Sequence, residues 1–210
     1  MLYTHMLRTA MVLGFFALIS AWLVAITFDV TKEPIATSEK NALLRNLHQL
    51  IPAELHDNEL FADVITVSEP TLLGTKKSQR VFRARKQDQP IALAIESIAP
   101  DGYNGSIFLL IAIRYDGSLL GVRVSKHKET PGLGDAIEIE RSDWISGFNN
   151  KSLDNTPTKA WQVEKDGGVF DQFTGATITP RAIVKAIHKT LLYYQQHRDS
   201  LFAEHNKQES

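Results

Sequence analysis

The residues best suited to chemistry lie together near the C-terminal end, in the run Asp-Gln-Phe-Thr-Gly-Ala-Thr-Ile-Thr-Pro at positions 171–180. This run leads into a predicted helix, whose free N–H groups and positive dipole end attract a phosphate. Gly175 and Ala176 leave room for a bulky group beside the backbone. Three hydroxyls crowd the same turn, those of Thr174, Thr177 and Thr179. The run indicates a phosphate site, although an ordinary helix capped by Thr179 fits the same residues.

The elements that must position this turn are a C-terminal helix and a sheet. The helix is predicted over residues 180–199, with Pro180 in its first turn. Upstream, strands are predicted at residues 80–85, 91–98, 107–113 and 119–124. The Asp-Gly pair at 116–117 is a strong hairpin signal, and Pro-Asp-Gly at 100–102 predicts a second turn. The predicted fold class is α+β, an antiparallel sheet flanked by helices.

Two further helices are predicted outside this sheet. A polar linker at residues 29–38 precedes an amphipathic helix, with Ser38 as its N-cap and Pro52 at its end. Its apolar stripe consists of Leu43, Leu44, Leu47, Leu50 and Ile51. Such a stripe is more typical of core packing than of a partner-binding face. A short helix is predicted around residues 142–148.

Residues 9–28 carry no charge and would form a helix about 30 Å long, roughly the thickness of the bilayer hydrocarbon. A cleaved signal peptide has a shorter apolar stretch and an A-x-A-like site, and a core helix is rarely apolar on every face. We therefore predict one transmembrane helix. Arg8 before the run favours a cytoplasmic N-terminus. The predicted segments are a cytoplasmic 1–8, a transmembrane 9–28 and an extracytoplasmic 29–210 with a helical linker.

Composition excludes several classes of function. The formal net charge of -1 argues against a nucleic-acid binder. The absence of cysteine excludes disulfides, thiolate-held iron–sulfur clusters and thioether-attached haem. The seven histidines are scattered without metal-ligand spacing, so we predict no metal site. The sequence also shows no Ser/His/Asp or paired-carboxylate constellation, and we predict no catalytic residue.

The pattern Asp-x-x-Thr-Gly-Ala-Thr resembles the flavinylation motif of the FMN-binding domain in the Rnf and Na+-pumping quinone reductase complexes. It is formed by Asp171, Thr174, Gly175, Ala176 and Thr177. The resemblance implies FMN joined to Thr177 through a phosphoester, installed by a flavin transferase that uses FAD. It makes Thr177 an attachment point rather than a nucleophile in turnover, and it gives Asp171 a role in recognition by the transferase.

Three other segments are similar to those of the G subunits of the Rnf ion-translocating electron transport complex. They are Ala-Pro-Asp-Gly-Tyr-x-Gly at 99–105, Glu-Thr-Pro-Gly-Leu-Gly-Asp at 129–135 and Lys-Asp-Gly-Gly at 165–168. Together with the predicted N-terminal transmembrane helix, these segments extend the resemblance over most of the chain. It implies a covalent-FMN electron carrier in a bacterial inner-membrane complex, with other Rnf subunits as partners. The bulk of the chain would then be periplasmic.

The loop at residues 129–135 suits a planar ligand. Gly132 and Gly134 bring bare backbone close, and exposed amides can bond the flavin's polar edge. Leu133 would pack on the ring face, and Thr130 would add a side-chain hydrogen bond. A plain Gly/Pro turn is the alternative interpretation of the same residues.

Two rival functions remain at this point. The C subunit of the Na+-pumping quinone reductase has the same domain and motif, although the Rnf-like segments and the modest length favour the Rnf family. The other rival is a flavin-free anchored module that scaffolds partners. Only a covalent flavin would fluoresce with the protein band after denaturing electrophoresis.

Overall fold

A computed structural model describes residues 2–203 of the chain. Met1 and residues 204–210, the outer ends of the predicted cytoplasmic and extracytoplasmic segments, lie outside the described residues. The chain divides into two compact units, Met1–Leu44 and Arg45–Ser210. The first is helical, and the second contains the sheet and all the site residues predicted above.

Helix α1 spans Leu2–Leu50 and includes the uncharged run. Within the described residues it is the one helix that is long and apolar enough to cross a membrane. Its large apolar side chains between Tyr3 and Ile35 are exposed in the protein alone. An apolar surface of this kind is stable when hydrocarbon covers it, because water would otherwise have to solvate it.

The prediction of a polar linker at residues 29–38 is wrong, because α1 continues through these residues with Pro34 inside the helix. Ser38 is therefore not an N-cap. Thr31 in this stretch and Thr27 just before it bond within the helix and do not interrupt it. The Thr27 hydroxyl donates to the Leu23 carbonyl at 2.8 Å, and the Thr31 hydroxyl donates to the Thr27 carbonyl at 2.7 Å. These bonds to the preceding turn keep the polar side chains compatible with helical backbone.

The last turn of α1 belongs to the core of the second unit. Leu47, Leu50 and Ile51 are buried, which confirms core packing for this part of the predicted stripe. The helix ends at Leu50, before Pro52, whose ring disfavours helical backbone in the residue that precedes it. A short 3-10 helix, Ala53–Leu55, follows.

The second unit is built on a five-stranded antiparallel sheet in the order β1-β2-β3-β4-β5. The strands are β1 Val64–Val67, β2 Gln79–Lys86, β3 Gln89–Gly102, β4 Gly105–Arg114 and β5 Leu119–Lys126. The remaining helices are α2 Pro70–Leu73, α3 Ile178–Phe202 and the 3-10 helices Gly134–Ile137, Asp143–Phe148, Thr158–Ala160 and Glu164–Asp166. The predicted α+β fold is confirmed, as are the four predicted strands.

Two features of the sheet differ from the prediction. Strand β1 has no predicted counterpart, because its four residues are too few to show an alternation. The turn predicted at 100–102 lies further along, since β3 continues to Gly102 and pairs there with Gly105. Tyr103 and Asn104 thus form the turn, and this places Asn104 beside the loop at residues 129–135.

Helix α3 lies against the sheet and brings its first residues to the predicted site. Its apolar face, including Ile183, Ile187 and Leu191, belongs to the same core as β3 and β4. The buried hydroxyls of Thr190 and Ser97 lie 2.8 Å apart, and the Tyr194 hydroxyl donates to the Tyr115 carbonyl at 3.0 Å. These polar contacts fix the axial position of α3 on the sheet, because apolar packing alone is not directional.

The C-terminal end of α3 is held by two arginines of β2. Arg83 donates to the carbonyl of Ala203 at 2.7 Å, and Arg85 donates to that of Phe202 at 2.8 Å. Both also bond the carboxylate of Asp63, with Arg83 Nε at 2.7 Å and Arg85 Nε at 2.8 Å. Cations at this end complement the helix dipole and satisfy carbonyls that lack helical partners.

Replacing Asp63 by Asn should destabilise the second unit, because two mostly buried guanidinium groups would lose their shared carboxylate. We expect the free energy of unfolding to fall by about 2–3 kcal/mol. Glu96→Gln is the matched control, since its partner Arg80 is half exposed, and the loss there should stay below about 1 kcal/mol. Denaturant unfolding of the purified chain in detergent measures both. If both substitutions lowered the free energy of unfolding equally, the shared carboxylate of Asp63 would not be more important than the exposed Glu96 pair.

Candidate functional site

The predicted motif folds as a tight turn that runs directly into α3. The amide of Ala176 donates to the carbonyl of Phe173 at 3.1 Å and closes the turn. Thr174 and Gly175 are exposed at its tip, and Gly175 has a φ of 83°, which favours glycine. The motif therefore presents its small residues to solvent and keeps Thr177 at the junction with the helix.

Thr177 occupies the N-cap position of α3, and its side chain makes no capping hydrogen bond. The prediction of Thr179 as N-cap is wrong. The backbone of Thr177 already lies in the right-handed helical region, and its carbonyl accepts the N–H of Arg181 at 3.3 Å. The Thr179 hydroxyl is instead bonded to Glu129, a residue far away in the sequence. The Thr177 hydroxyl thus remains available for attachment.

The first turn of α3 can receive an anion. In the described part of the chain, neither the N–H of Ile178 nor that of Thr179 bonds a protein acceptor. Pro180 has no N–H to satisfy, so it suits the first turn, as predicted. Free amides at a helix start, together with the positive dipole end, favour a phosphate there.

The side chains of Trp144 and Phe173 pack together beside the motif. The Trp144 indole N–H donates to the carbonyl of Asp171 at 2.9 Å, and its ring meets that of Phe173 edge to face at 5.1 Å. Trp144 comes from the 3-10 helix Asp143–Phe148, which confirms the short helix predicted here. No sequence pattern links Trp144 with the motif. The carboxylate of Asp171 is exposed and accepts the N–H of Gln172 at 2.8 Å.

The loop at residues 129–135 is a compact turn beside α3. The carbonyl of Thr130 accepts the N–H groups of Leu133 at 3.1 Å and Gly134 at 2.9 Å. Asp135 accepts the N–H of Gly132 at 2.8 Å. Gly132 has a φ of 78° and open space around its Cα, so its missing side chain keeps one face of the loop clear.

Glu129 joins this loop to two other segments. Its carboxylate accepts the backbone N–H of Asn104 at 3.0 Å and the hydroxyl of Thr179. The side-chain amide of Asn104 donates to the hydroxyl of Thr130 at 3.1 Å. Glu129 is only 4% exposed. The sequence patterns assign no role to Glu129 or to Asn104, because their partners are distant in the sequence.

The structure brings the loop and the motif together. A Cβ added at Gly175 would lie 3.6 Å from Leu133 Cδ2, in ordinary van der Waals contact. A Cβ added at Gly134 would lie 2.9 Å from Glu129 Cβ and 3.3 Å from Thr179 Oγ1. Gly134 therefore has a packing role, whereas Gly132 and Gly175 border open surface. The contact was not readable from the sequence.

The surface around Thr177 combines free backbone amides with exposed apolar side chains. Phosphate would meet the free amides of the first turn of α3. A planar ring would meet apolar side chains nearby, because Leu133 is 48% and Ile178 is 45% exposed. Leu133 lies beside Gly175 of the motif turn, and Ile178 is the first residue of the helix that follows it.

Nearby charges are neutralised in pairs. Arg181 in the first turn of α3 donates to Asp166 at 2.6 and 2.8 Å, and this hydrogen bonding lowers the pKa of the Asp166 carboxyl. One turn further along, Lys185 bonds Asp101 at 2.7 Å and lowers the pKa of that carboxyl. The helix start thus offers backbone amides to a phosphate, while its first two cations are already paired with carboxylates.

Two family descriptions match the sequence. The FMN-binding domain family matches residues 102–192, a range that contains both the loop at 129–135 and the motif turn. The RnfG N-terminal region matches residues 1–50, which correspond closely to α1.

Several relatives match over almost their whole length. The chain is similar to the G subunit of the ion-translocating oxidoreductase complex of Shewanella oneidensis, with 46% identity over 199 residues, 95% of this chain and 94% of the relative. The protein of the same name from Vibrio cholerae is 46% identical over 203 residues, 97% of each chain. That of Aliivibrio fischeri is 44% identical over 198 residues, 94% of each.

Gly134→Ala should destabilise the second unit, because the added methyl group would overlap Glu129 Cβ inside a packed contact. We expect the free energy of unfolding to fall by about 1–3 kcal/mol. Gly147→Ala provides the control, since its Cβ would meet nothing within 4 Å, and the change there should stay within about 0.5 kcal/mol. Denaturant unfolding in detergent compares the two. A Gly134→Ala chain as stable as the control would contradict the packing role.

Proposed function

Because this chain belongs to the family of G subunits of the ion-translocating, Rnf-type oxidoreductase complexes, we propose that it carries FMN covalently, as a phosphoester on Thr177. It is a flavin electron-carrier subunit of a membrane redox complex, and the other subunits of that complex are its partners. The attachment residue, the chemistry of the link and the topology are the parts we propose.

The observation that carries the proposal is the contact between the motif turn and the loop at residues 129–135. Two segments that resemble flavin-binding sequences, about 40 positions apart, meet at one helix N-terminus. The Thr177 hydroxyl lies at that helix start without a capping bond, so esterification would cost no structural hydrogen bond. A phosphate on it would reach the amides of the first turn, whose N–H groups lack protein acceptors.

The residues around Thr177 hold and orient the cofactor. Thr174, Gly175 and Ala176 leave space for the phosphate, and Leu133 packs against one face of the ring. Thr130 and Gly132 line the polar edge, while the buried Gly134 packs against Glu129 and Thr179 and so supports the loop. When bound, FMN supplies both one-electron and two-electron transfer. The chain itself needs no general acid or base for such transfer, and its contribution is position and electrostatic environment.

Maturation requires a second protein. A flavin transferase has to reach the turn, and the exposure of Thr174, Gly175 and the Asp171 carboxylate supports such access. Asp171 serves in recognition by this transferase. Its side chain bonds only the adjacent N–H of Gln172 among the described residues, so no tertiary contact explains an acid there.

The chain crosses the bacterial inner membrane once, through residues 9–28 of α1, and the second unit is periplasmic. Arg8 precedes the uncharged run, and the positive-inside tendency places it in the cytoplasm. A covalent cofactor suits this topology, because flavin lost outside the cytoplasm could not be replaced from the cytosolic pool. The match to the RnfG N-terminal region favours an Rnf-type role over that of the C subunit of a Na+-pumping quinone reductase.

Thr177→Ala should abolish covalent flavin and leave the chain folded, because the Thr177 side chain makes no capping hydrogen bond. The chain is co-expressed with a flavin transferase, separated by denaturing electrophoresis and viewed under ultraviolet light. Thr174→Ala is the matched control, since it removes an exposed hydroxyl of the same turn, and it should remain fluorescent. Fluorescence that persists in Thr177→Ala would move the attachment to another residue. A dark wild-type band would favour the flavin-free scaffold.

A cysteine placed at the exposed Ser200 should react with a membrane-impermeant maleimide in intact cells whose outer membrane is permeabilised. The native chain has no cysteine, so each variant carries a single thiol. Thr4→Cys, on the other side of the uncharged run, should react only after lysis. The reverse pattern would invert the topology, and labelling of both in intact cells would contradict a membrane span.

A further inference from the structure

Glu129 is a buried carboxylate without a cationic partner. It is 4% exposed, and none of the ion pairs formed by the described residues includes it. Its two oxygens accept from the Asn104 N–H at 3.0 Å and from the Thr179 hydroxyl. Burying a charge is costly unless hydrogen bonds or a dipole compensate. Both of its oxygens are held by donors from other segments, so its position is closely defined.

The compensation comes from the start of α3. Thr179 is the second residue of the helix and is 1% exposed, so the carboxylate lies beside the positive end of the dipole. The backbone is shaped to admit it, because a Cβ on Gly134 would collide with the Glu129 side chain. Glu129 thereby links three segments, which are the β3–β4 turn, its own loop and the flavin-bearing helix.

We propose that Glu129 is a positioning residue for the flavin, which holds the loop at residues 129–135 against the Thr177 turn and places a fixed negative charge beside it; this rests on the proposed attachment at Thr177. Without the two hydrogen bonds the loop would separate from the helix start, and Leu133 would leave Gly175. The negative charge opposes the addition of an electron to a nearby flavin, so it lowers the flavin's reduction potential.

Glutamine at position 129 separates the two roles. Its side-chain oxygen can accept the Asn104 N–H, and its NH₂ group can donate to the Thr179 hydroxyl, which is able to accept. Glu129→Gln therefore keeps the hydrogen bonds to Asn104 and Thr179 and removes the negative charge. Glu129→Ala removes both. Glu140→Gln, at an exposed glutamate of the same region, controls for the loss of one negative charge.

The role of the two Glu129 hydrogen bonds is tested in the flavin-free, full-length chain in detergent. Every variant also carries Thr177→Ala, so that no flavin is attached. Hydrogen exchange of the backbone amides in residues 130–135 and 176–181 is followed by mass spectrometry. We expect Glu129→Ala to raise the exchange rate about tenfold or more, because hydrogen bonds to a charged group are lost. Glu129→Gln and Glu140→Gln should exchange at the rate of the background. Unchanged exchange in Glu129→Ala would overturn the proposal.

The charge is tested in flavinylated chain with Thr177 intact, by an equilibrium redox titration with mediators. We expect an upward shift of the flavin midpoint potential in Glu129→Gln, and no shift in Glu140→Gln, where solvent screens the charge. An unshifted or lower potential in Glu129→Gln would overturn the proposal, even if Glu129→Ala fails to fold. A wild-type chain without flavin would contradict the proposed function, whereas the exchange measurement would still report on the links alone.

Discussion

The hydrogen bond between the Thr179 hydroxyl and the buried Glu129 carboxylate is the interaction on which the site depends. It joins two segments that lie about 50 positions apart in the sequence, the Gly-rich loop and the start of α3. The second carboxylate oxygen adds the β3–β4 turn through Asn104. Gly134 makes this arrangement possible, because any side chain there would displace Glu129. These contacts hold the loop next to the start of α3, where Thr177 lies.

The rest of the second unit keeps the start of α3 in place. The helix is long, lies on the sheet through an apolar face, and is fixed along its axis by the Thr190–Ser97 and Tyr194–Tyr115 contacts. Two arginines of β2 hold its C-terminal end. Because a helix is stiff, constraints on its middle and far end also position its first turn. The free amides beside Thr177 therefore point in one fixed direction, which suits a permanently attached phosphate.

The electrostatics of the site have two opposing parts. The helix N-terminus attracts an anion, and the neighbouring cations Arg181 and Lys185 are already paired with carboxylates. In our proposal, the buried Glu129 carboxylate, which bonds the Thr179 hydroxyl, adds a negative charge near the same helix start. The helix start would hold the phosphate of FMN, while the flavin ring would lie in a negative electrostatic potential. Such a division between attachment and tuning is what an electron carrier requires, since it must hold its cofactor and still release electrons.

Features that depend on local interactions could be predicted from the sequence. The uncharged run of α1, the four strands with their hairpin signal and the small-residue turn before a helix were all readable, because each depends on neighbouring residues. The linker at 29–38 was misjudged, since polar and charged residues form helix as well as apolar ones do, and α1 accommodates Pro34. The N-cap was misplaced for a different reason, because the Thr179 hydroxyl has a distant partner.

The residues that surround Thr177 could not be predicted, because they come together through folding. Trp144, Asn104 and Glu129 reach the site from three segments, and no spacing in the sequence links them to the motif. A sequence pattern indicates only the interactions that a residue can make with its neighbours along the chain. A buried carboxylate is tolerated only where donors from other segments converge, and that convergence exists only once the sheet and α3 have packed.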